Sequence, residues 1–315
     1  MTKVLISDRT HETLEQRLRE AGFEVSVEPD HDYESLVQAA QGCAGLVVRS
    51  KVNIDRAFID RVPSLKCIGR VGAGMETIDV EYAESKGIRC LNSPEGNRDA
   101  VGEHAVGLLL ALLDNIARAD AEVRKGMWQR EANRGHELGS LTVGIIGFGN
   151  MGQAFARRLS GFGCRIIVYD KYKDLGDLKD VQVVETLAEL QAEADVVSFH
   201  VPLTEETRHY MDDGFVSAMH KPFYLINTAR GAVVDTEALV RGMESGKVLG
   251  TALDVSEYEN MNADSMGDVP DCVRYLQQSP RTVMTPHVAG WTVESKYKLA
   301  AVLADKIICE LGVRN

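Results

Sequence analysis

Short apolar, β-branched runs separated by helical patterns recur along the whole chain. VLIS (residues 4–7), FEVSV (23–27), GLVVR (45–49) and CIGRV (67–71) open the series. Such alternation predicts parallel βαβ units with helices covering both sheet faces. The rhythm pauses at one long helical segment that begins near Asp99 and runs on through EHAVGLLLALLDNIARADAEV. Apolar residues fill most of its positions, which predicts burial between neighbours, and its start marks a domain border. A second series follows in VGIIG (143–147), CRIIVYD (164–170), DVVSFH (195–200), FYLINT (223–228), VLGTALDV (248–255) and TVMT (282–285), and these six strands match a full doubly wound nucleotide-binding sheet. The amphipathic pattern at 293–311 is expected to return to the first domain. The expected domains are therefore residues 1–98 with 287–315, and residues 99–286. The acidic stretch 257–271, EYENMNADSMGDVPD, is poor in large apolar residues and is expected to be a surface loop.

Composition narrows the class. The 315 residues are 44% hydrophobic, enough for two cores, and the longest apolar stretch (105–113) falls well short of the ~20 residues of a membrane span. The start, MTKVLISDRTHE, has no signal-peptide apolar region, so a cytoplasmic protein is expected. Six cysteines are scattered singly, without CxxC or histidine at metal-ligand spacing, and are expected to be reduced core residues with no metal site. A formal charge of -12 repels nucleic acid and anionic lipid, so an anionic substrate must meet locally placed arginines.

The candidate chemistry begins at GFGNMG, where Gly147, Gly149 and Gly152 follow the strand VGII and precede a helical pattern. One glycine permits the tight turn, one lets the backbone approach a pyrophosphate, and one lets helix and strand pack closely. The helix start offers free N–H groups and a positive dipole end to phosphate. Asp170 closes the next strand, where a carboxylate accepts from ribose hydroxyls and repels a 2′-phosphate, which favours NAD over NADP. Lys171 and Lys173 nearby soften that preference.

Three further stretches sit where strands of this sheet should end, which in an open parallel sheet is the ligand crevice. INTARGAVVD supplies Arg230, LDVSEYEN supplies Asp254 and Glu259, and TPHVAGWT supplies His287. With RVGAGMETID (70–79), NSPEGNRDAVGEHAVGLLLAL from Asn92, and the glycine turn, these motifs in this order resemble the D-isomer-specific 2-hydroxyacid dehydrogenases, and within them the branch that includes phosphoglycerate dehydrogenase.

The resemblance implies a Rossmann NAD-binding domain inserted into a flavodoxin-like substrate domain. It makes His287 the proton donor and acceptor, Glu259 its partner and Arg230 the clamp on a substrate carboxylate. Physics agrees: hydride arriving at a keto carbon leaves negative charge on oxygen, and a positioned imidazolium lowers that barrier. A carboxylate beside the ring favours its charged form, and a guanidinium grips a carboxylate through two parallel bonds where lysine would orient it less well. By the same resemblance Asp254 contacts the nicotinamide amide. Asn150, Met151, Val201, Thr228, Ala229 and Gly290 join the cofactor set, which Arg230 and His287 border. Gly72, Ala73 and Gly74 resemble the loop whose N–H groups hold the substrate carboxylate. Arg49, Ser50 and Lys51 follow the third strand and are candidates for a substrate phosphate. Arg130 and Arg134 resemble a segment that crosses to a neighbouring subunit, so a homodimer or higher homo-oligomer is expected.

Other residues take blander readings. His104, His136 and His200 are expected to be satisfied structural histidines, and Trp128 a packed interface or core aromatic. Asn260 stands where the family has proline, Trp291 where phosphoglycerate dehydrogenases have a small residue, and Glu76 and Thr77 replace the usual aspartate and asparagine; HVAGW resembles the erythronate-phosphate branch. Hydroxypyruvate, glyoxylate, 3-phosphoglycerate and 4-phosphoerythronate all fit a carboxylate clamp. A corepressor that senses NAD on the same fold is the alternative of a different class, and the chain's end soon after its last helix argues against it. Formate enzymes of the family carry glutamine where Glu259 stands, and no GxSxG, GxxxxGK[ST] or HExxH supports a hydrolase or kinase.

Overall fold

A computed structural model describes residues 1–176, 178–259 and 267–312. The chain divides into two compact units, Met1–Arg98 with Trp291–Asn315, and Asp99–Gly290. The first contains β1 (Lys3–Ile6), β2 (Glu24–Val27), β3 (Gly45–Val48), β4 (Cys67–Arg70) and β5 (Arg89–Asn92), all parallel in the order β2-β1-β3-β4-β5. This is the flavodoxin-like doubly wound order. The helix Val293–Leu311 belongs to this unit, where it buries Ala300, Leu303, Ala304 and Ile307 against Val4, Ile6, Val47 and Cys67. Each large apolar side chain so buried contributes roughly 1.5–3 kcal/mol. A capping box of Thr292 and Ser295 sets its start.

The second unit contains β6 (Thr142–Ile146), β7 (Arg165–Tyr169), β8 (Gln182–Val183), β9 (Val196–Phe199), β10 (Phe223–Asn227), β11 (Val248–Leu253) and β12 (Thr282–Met284). Its order, β12-β11-β10-β9-β6-β7-β8, is that of the Rossmann fold with one strand added. β9, with every residue buried, shows why these strands read as continuous apolar runs: both faces are covered. Register fixes the functional edge. Ile146 pairs with Tyr169 and Phe199, Phe199 with Asn227, Asn227 with Leu253, and Leu253 with Met284. Gly147, Asp170, His200, Thr228, Asp254 and Thr285 therefore all leave the sheet along one carboxyl edge, and the order reverses between β6 and β9.

Several expectations are corrected. The long helical segment starts at Pro94, a residue suited to the first helical position, and breaks after Leu113. Asn115 there adopts left-handed φ (54°), and a separate helix runs over Ile116–Arg124. β5 and β8 were not anticipated, because RCLN has no β-branched residue and β8 has only two residues at a sheet edge. Cys43 and Cys67 are buried, but Cys309 is exposed on the polar side of the last helix. Trp128 is not in the core, being 77% exposed. Residues 260–266 of the acidic stretch, Asn260 among them, lie outside the described residues.

Candidate active site

The glycine turn is built as its spacing requires. Gly147 has φ +89°, and a Cβ there would fall 2.7 Å from the His200 carbonyl oxygen. At Gly152 a Cβ would come within 2.2 Å of the Gly147 carbonyl oxygen, so only glycine lets the helix Asn150–Leu159 start so close to β6. Gly149 differs: its Cβ would meet only Lys173 Nζ, at 3.9 Å, which leaves the open cradle a diphosphate needs. Met151 and Val201 are half-buried beside this turn, and Val201 Cγ1 would lie 2.9 Å from a Cβ on Gly147.

Asp170 accepts from Phe148 N at 2.8 Å and from Tyr172 N and Lys173 N at 3.1 Å, so the carboxylate shapes the glycine turn as well as standing at the end of β7. Lys171 is paired with Glu206, whereas Lys173 Nζ lies 3.5 Å from the Phe148 carbonyl oxygen. Ala229 is buried with its N–H on Asn227 Oδ1, and Thr228 Oγ1 is buried with no hydrogen-bond partner among the described residues. That orphaned hydroxyl, the open Gly149 and the carboxylate at Asp170 fit a bound dinucleotide. His200 is held beneath the turn with Nε2 2.9 Å from Ser198 Oγ, and burial pushes its pKa down to about 3, so its ring is neutral.

Arg230, Glu259 and His287 are linked through two loops. Arg230 caps a short helical turn, Gly231–Val233, and its carbonyl accepts from Asn227 Nδ2 at 2.9 Å. A Cβ on Gly231 would stand 2.0 Å from the Ser256 carbonyl carbon, so glycine after the arginine is what lets the loop behind β10 press on the loop behind β11. Glu259, on that second loop, accepts Ser256 N at 3.0 Å with Oε2 and faces His287 Nδ1 at 2.8 Å with Oε1. His287 and Glu259 keep 26% and 24% of their side chains exposed, so the dyad is fixed yet reachable.

His287 has left-handed φ (54°), which costs a non-glycine residue roughly 1–2 kcal/mol. Asp254 compensates. Its carbonyl accepts His287 N at 2.7 Å, and its carboxylate, 1% exposed, accepts Thr285 Oγ1 at 2.6 Å and Val288 N and Ala289 N at 2.9 Å. Burial pushes the Asp254 pKa up, but hydrogen bonds from His104, Thr285, Ala289 and Val288 outweigh it and hold the carboxyl below the usual range. Gly290 ends this segment. His104 was read from the sequence as a structural histidine and Thr285 was not singled out; only the topology brings the long helix beside β12. Glu257 was missed too: it accepts His209 Nε2 at 2.6 Å and Thr236 Oγ1 at 2.9 Å, anchoring the loop that carries Glu259.

In the first unit, Gly72 has φ +148° and its N–H meets Ser93 Oγ at 3.2 Å, while the Ala73 carbonyl accepts Asn92 Nδ2 at 2.7 Å; Gly74 follows in the same half-buried loop. Thr77 supports it by accepting Ile54 N at 2.7 Å. Lys51 pairs with Asp30 at 3.2 Å, the half-buried Ser50 precedes it, and the Arg49 guanidinium lies 5.4 Å from the Trp291 ring centroid.

Comparison with known proteins agrees with this geometry. Residues 106–289 match the family model described as D-isomer specific 2-hydroxyacid dehydrogenase, NAD binding domain. The chain is 38% identical over 291 residues to a hydroxypyruvate reductase of Thermotoga maritima, covering 92% of each. It is 36% identical to a D-3-phosphoglycerate dehydrogenase of Methanocaldococcus jannaschii across 98% of this chain, but spans only 57% of that longer protein. Among solved structures, the D-lactate dehydrogenase of Aquifex aeolicus complexed with NAD and lactic acid is similar, with TM-score 0.81, 28% identity, and coverage of 97% of this chain and 95% of that one.

Proposed function

Because the chain belongs to the D-isomer specific 2-hydroxyacid dehydrogenases, NAD-dependent oxidoreductases, we propose that it interconverts a small D-2-hydroxy acid and its 2-oxo acid with His287 as the proton-transfer residue. The observation that carries this reading is the His287–Glu259 contact at 2.8 Å, with the second carboxylate oxygen fixed by Ser256 N. NAD, when bound, supplies or accepts the hydride at C2. In reduction His287 hands a proton to the carbonyl oxygen, and in oxidation it takes the hydroxyl proton. Glu259 stabilises the imidazolium, and Arg230 orients the carboxylate so that C2 is held in place. Thr228, Ala229, Asn150 and Asp170 bind cofactor, and Asp254 offers its remaining acceptor capacity to the nicotinamide amide.

For the substrate we take 3-phosphoglycerate first, with Arg49, Ser50 and Lys51 as the phosphate contacts and the N–H groups of Ala73 and Gly74 for its carboxylate, the Gly72 N–H being taken by Ser93 Oγ at 3.2 Å. The pairing of Lys51 with Asp30 favours a second reading, hydroxypyruvate, whose C3 hydroxyl needs no extra cation. Rates with hydroxypyruvate and with its 3-phosphate, each followed by NADH absorbance, test both. A kcat/KM at least tenfold higher for the phosphate form supports the first reading, and the reverse ratio the second; turnover of neither, nor of any other 2-oxo acid, would sink the proposal.

We further propose a homodimer in the cytoplasm. The helix Ile116–Arg124 has no buried residue and leaves Ile116 and Val123 exposed, followed by Met127 and Trp128, beside Arg130 and Arg134. A second copy covering this apolar face explains it. Light scattering should give twice the chain mass for the wild type and a monomer for Trp128→Glu.

A further inference from the structure

We infer that His104 is a positioning residue for His287, acting through Thr285 and Asp254. The inference rests on the reading of His287 as the proton-transfer residue. His104 projects from the helix Pro94–Leu113 and places Nε2 3.0 Å from Thr285 Oγ1 and 3.5 Å from Asp254 Oδ1. Thr285 has one hydroxyl proton, and it is directed to Asp254 Oδ1 at 2.6 Å. Its oxygen is therefore an acceptor toward His104, so Nε2 carries a hydrogen and the imidazole feeds a donor into a carboxylate that water does not reach.

Asp254 in turn grips the segment on both sides of the proposed proton carrier. Its carbonyl takes His287 N, and its carboxylate takes the N–H groups of Val288 and Ala289. A left-handed backbone at a histidine persists only where the surroundings hold it. With the His104 donor removed, the Thr285 oxygen loses a partner, the buried carboxylate is less well compensated, and its grip on residues 287–289 loosens. The imidazole then spends less time against Glu259, and turnover falls through the loosened segment rather than through a lost contact to substrate or cofactor.

The experiment compares wild type, His104→Phe, His104→Gln and His287→Ala in three readouts: turnover of a 2-oxo acid with NADH, NADH affinity by fluorescence, and amide exchange across residues 285–290. Glutamine places an amide N–H at about the reach of Nε2, whereas phenylalanine fills the space without a donor. For His104→Phe we expect kcat to drop about tenfold or more, NADH affinity to stay within about twofold, and exchange of the segment to rise about tenfold. His104→Gln should recover most of both losses. Unchanged exchange in His104→Phe, or equal losses in both His104 variants with NADH affinity retained, overturns the inference. Full activity in His287→Ala overturns the proposed function instead, and the exchange data still decide whether His104 holds the segment.

Discussion

Replacing Glu259 by glutamine changes charge and donor pattern while nearly preserving shape, and so tests the dyad directly. The carboxylate accepts at both oxygens, Oε1 from His287 Nδ1 and Oε2 from Ser256 N. An amide can accept at only one. If its oxygen keeps Ser256 N, its NH2 faces Nδ1 and forces the neutral ring; if it keeps Nδ1, its NH2 opposes the Ser256 N–H. In the second arrangement, and in the first once the ring is protonated, a donor is orphaned, at about 1–3 kcal/mol, and the surviving bond loses charge assistance, about 1 kcal/mol more. Solvent reaches about a quarter of each side chain, which weakens the charge contribution and places the total in the lower half of that range, about 2–3 kcal/mol. At 1.36 kcal/mol per tenfold this is a loss of about 30- to 150-fold in kcat for oxidation, the direction in which the ring gains a proton. Stopped-flow measurement of NADH formation, with cofactor affinity measured separately as a control, gives the number. A rate within threefold of wild type would show that the carboxylate does not support the imidazolium, and the proton-transfer scheme would fail.

His287→Ala is expected to cut turnover by about 100-fold or more while NADH affinity survives, since the imidazole acts on substrate; steady-state kinetics with fluorescence titration checks both. Asp170→Ala should weaken NAD and narrow its advantage over NADP, measured as the ratio of the two dissociation constants, although loss of the three backbone bonds to this carboxylate will also loosen the turn. Asp254→Asn should lower stability by about 2–4 kcal/mol in urea unfolding, because at least one donor on the carboxylate is left facing an amide NH2. The folded pKa of Asp254 lies below its unfolded value near 3.9, so the wild-type contribution is fully present above about pH 4 and fades as pH falls through the folded value. The Asn variant should lack that part of the acid dependence, and an unchanged acid unfolding curve would contradict it.

Much of this was legible in the chain because parallel strands covered on both faces must be apolar throughout, which is why VGII, VVSF and FYLI stand out. The glycine turn was legible because backbone approach excludes every other residue at Gly147 and Gly152. The edge strands β5 and β8 were not, since an edge tolerates arginine, asparagine and glutamine. The helix break at Asn115 was hidden by apolar residues on both sides of it. His104, Thr285 and Glu257 act through partners far away in the chain, as with His104 and Asp254, and no local spacing marks such a pairing.

The physical logic of the dyad lies in how the two members are held. Glu259 is fixed from below, by Ser256 N and by a loop that Glu257 ties to His209 and Thr236. His287 is fixed from behind, by a buried carboxylate that pins the backbone in a conformation histidine would not adopt alone. Neither anchor uses the imidazole Nε2, so the nitrogen opposite the Glu259 contact is left to exchange a proton with substrate. A site whose only rigid contacts were on the ring itself would have to break one of them to react. Here the strain sits in the backbone, the carboxylate contact sits on Nδ1, and the reacting atom carries neither burden.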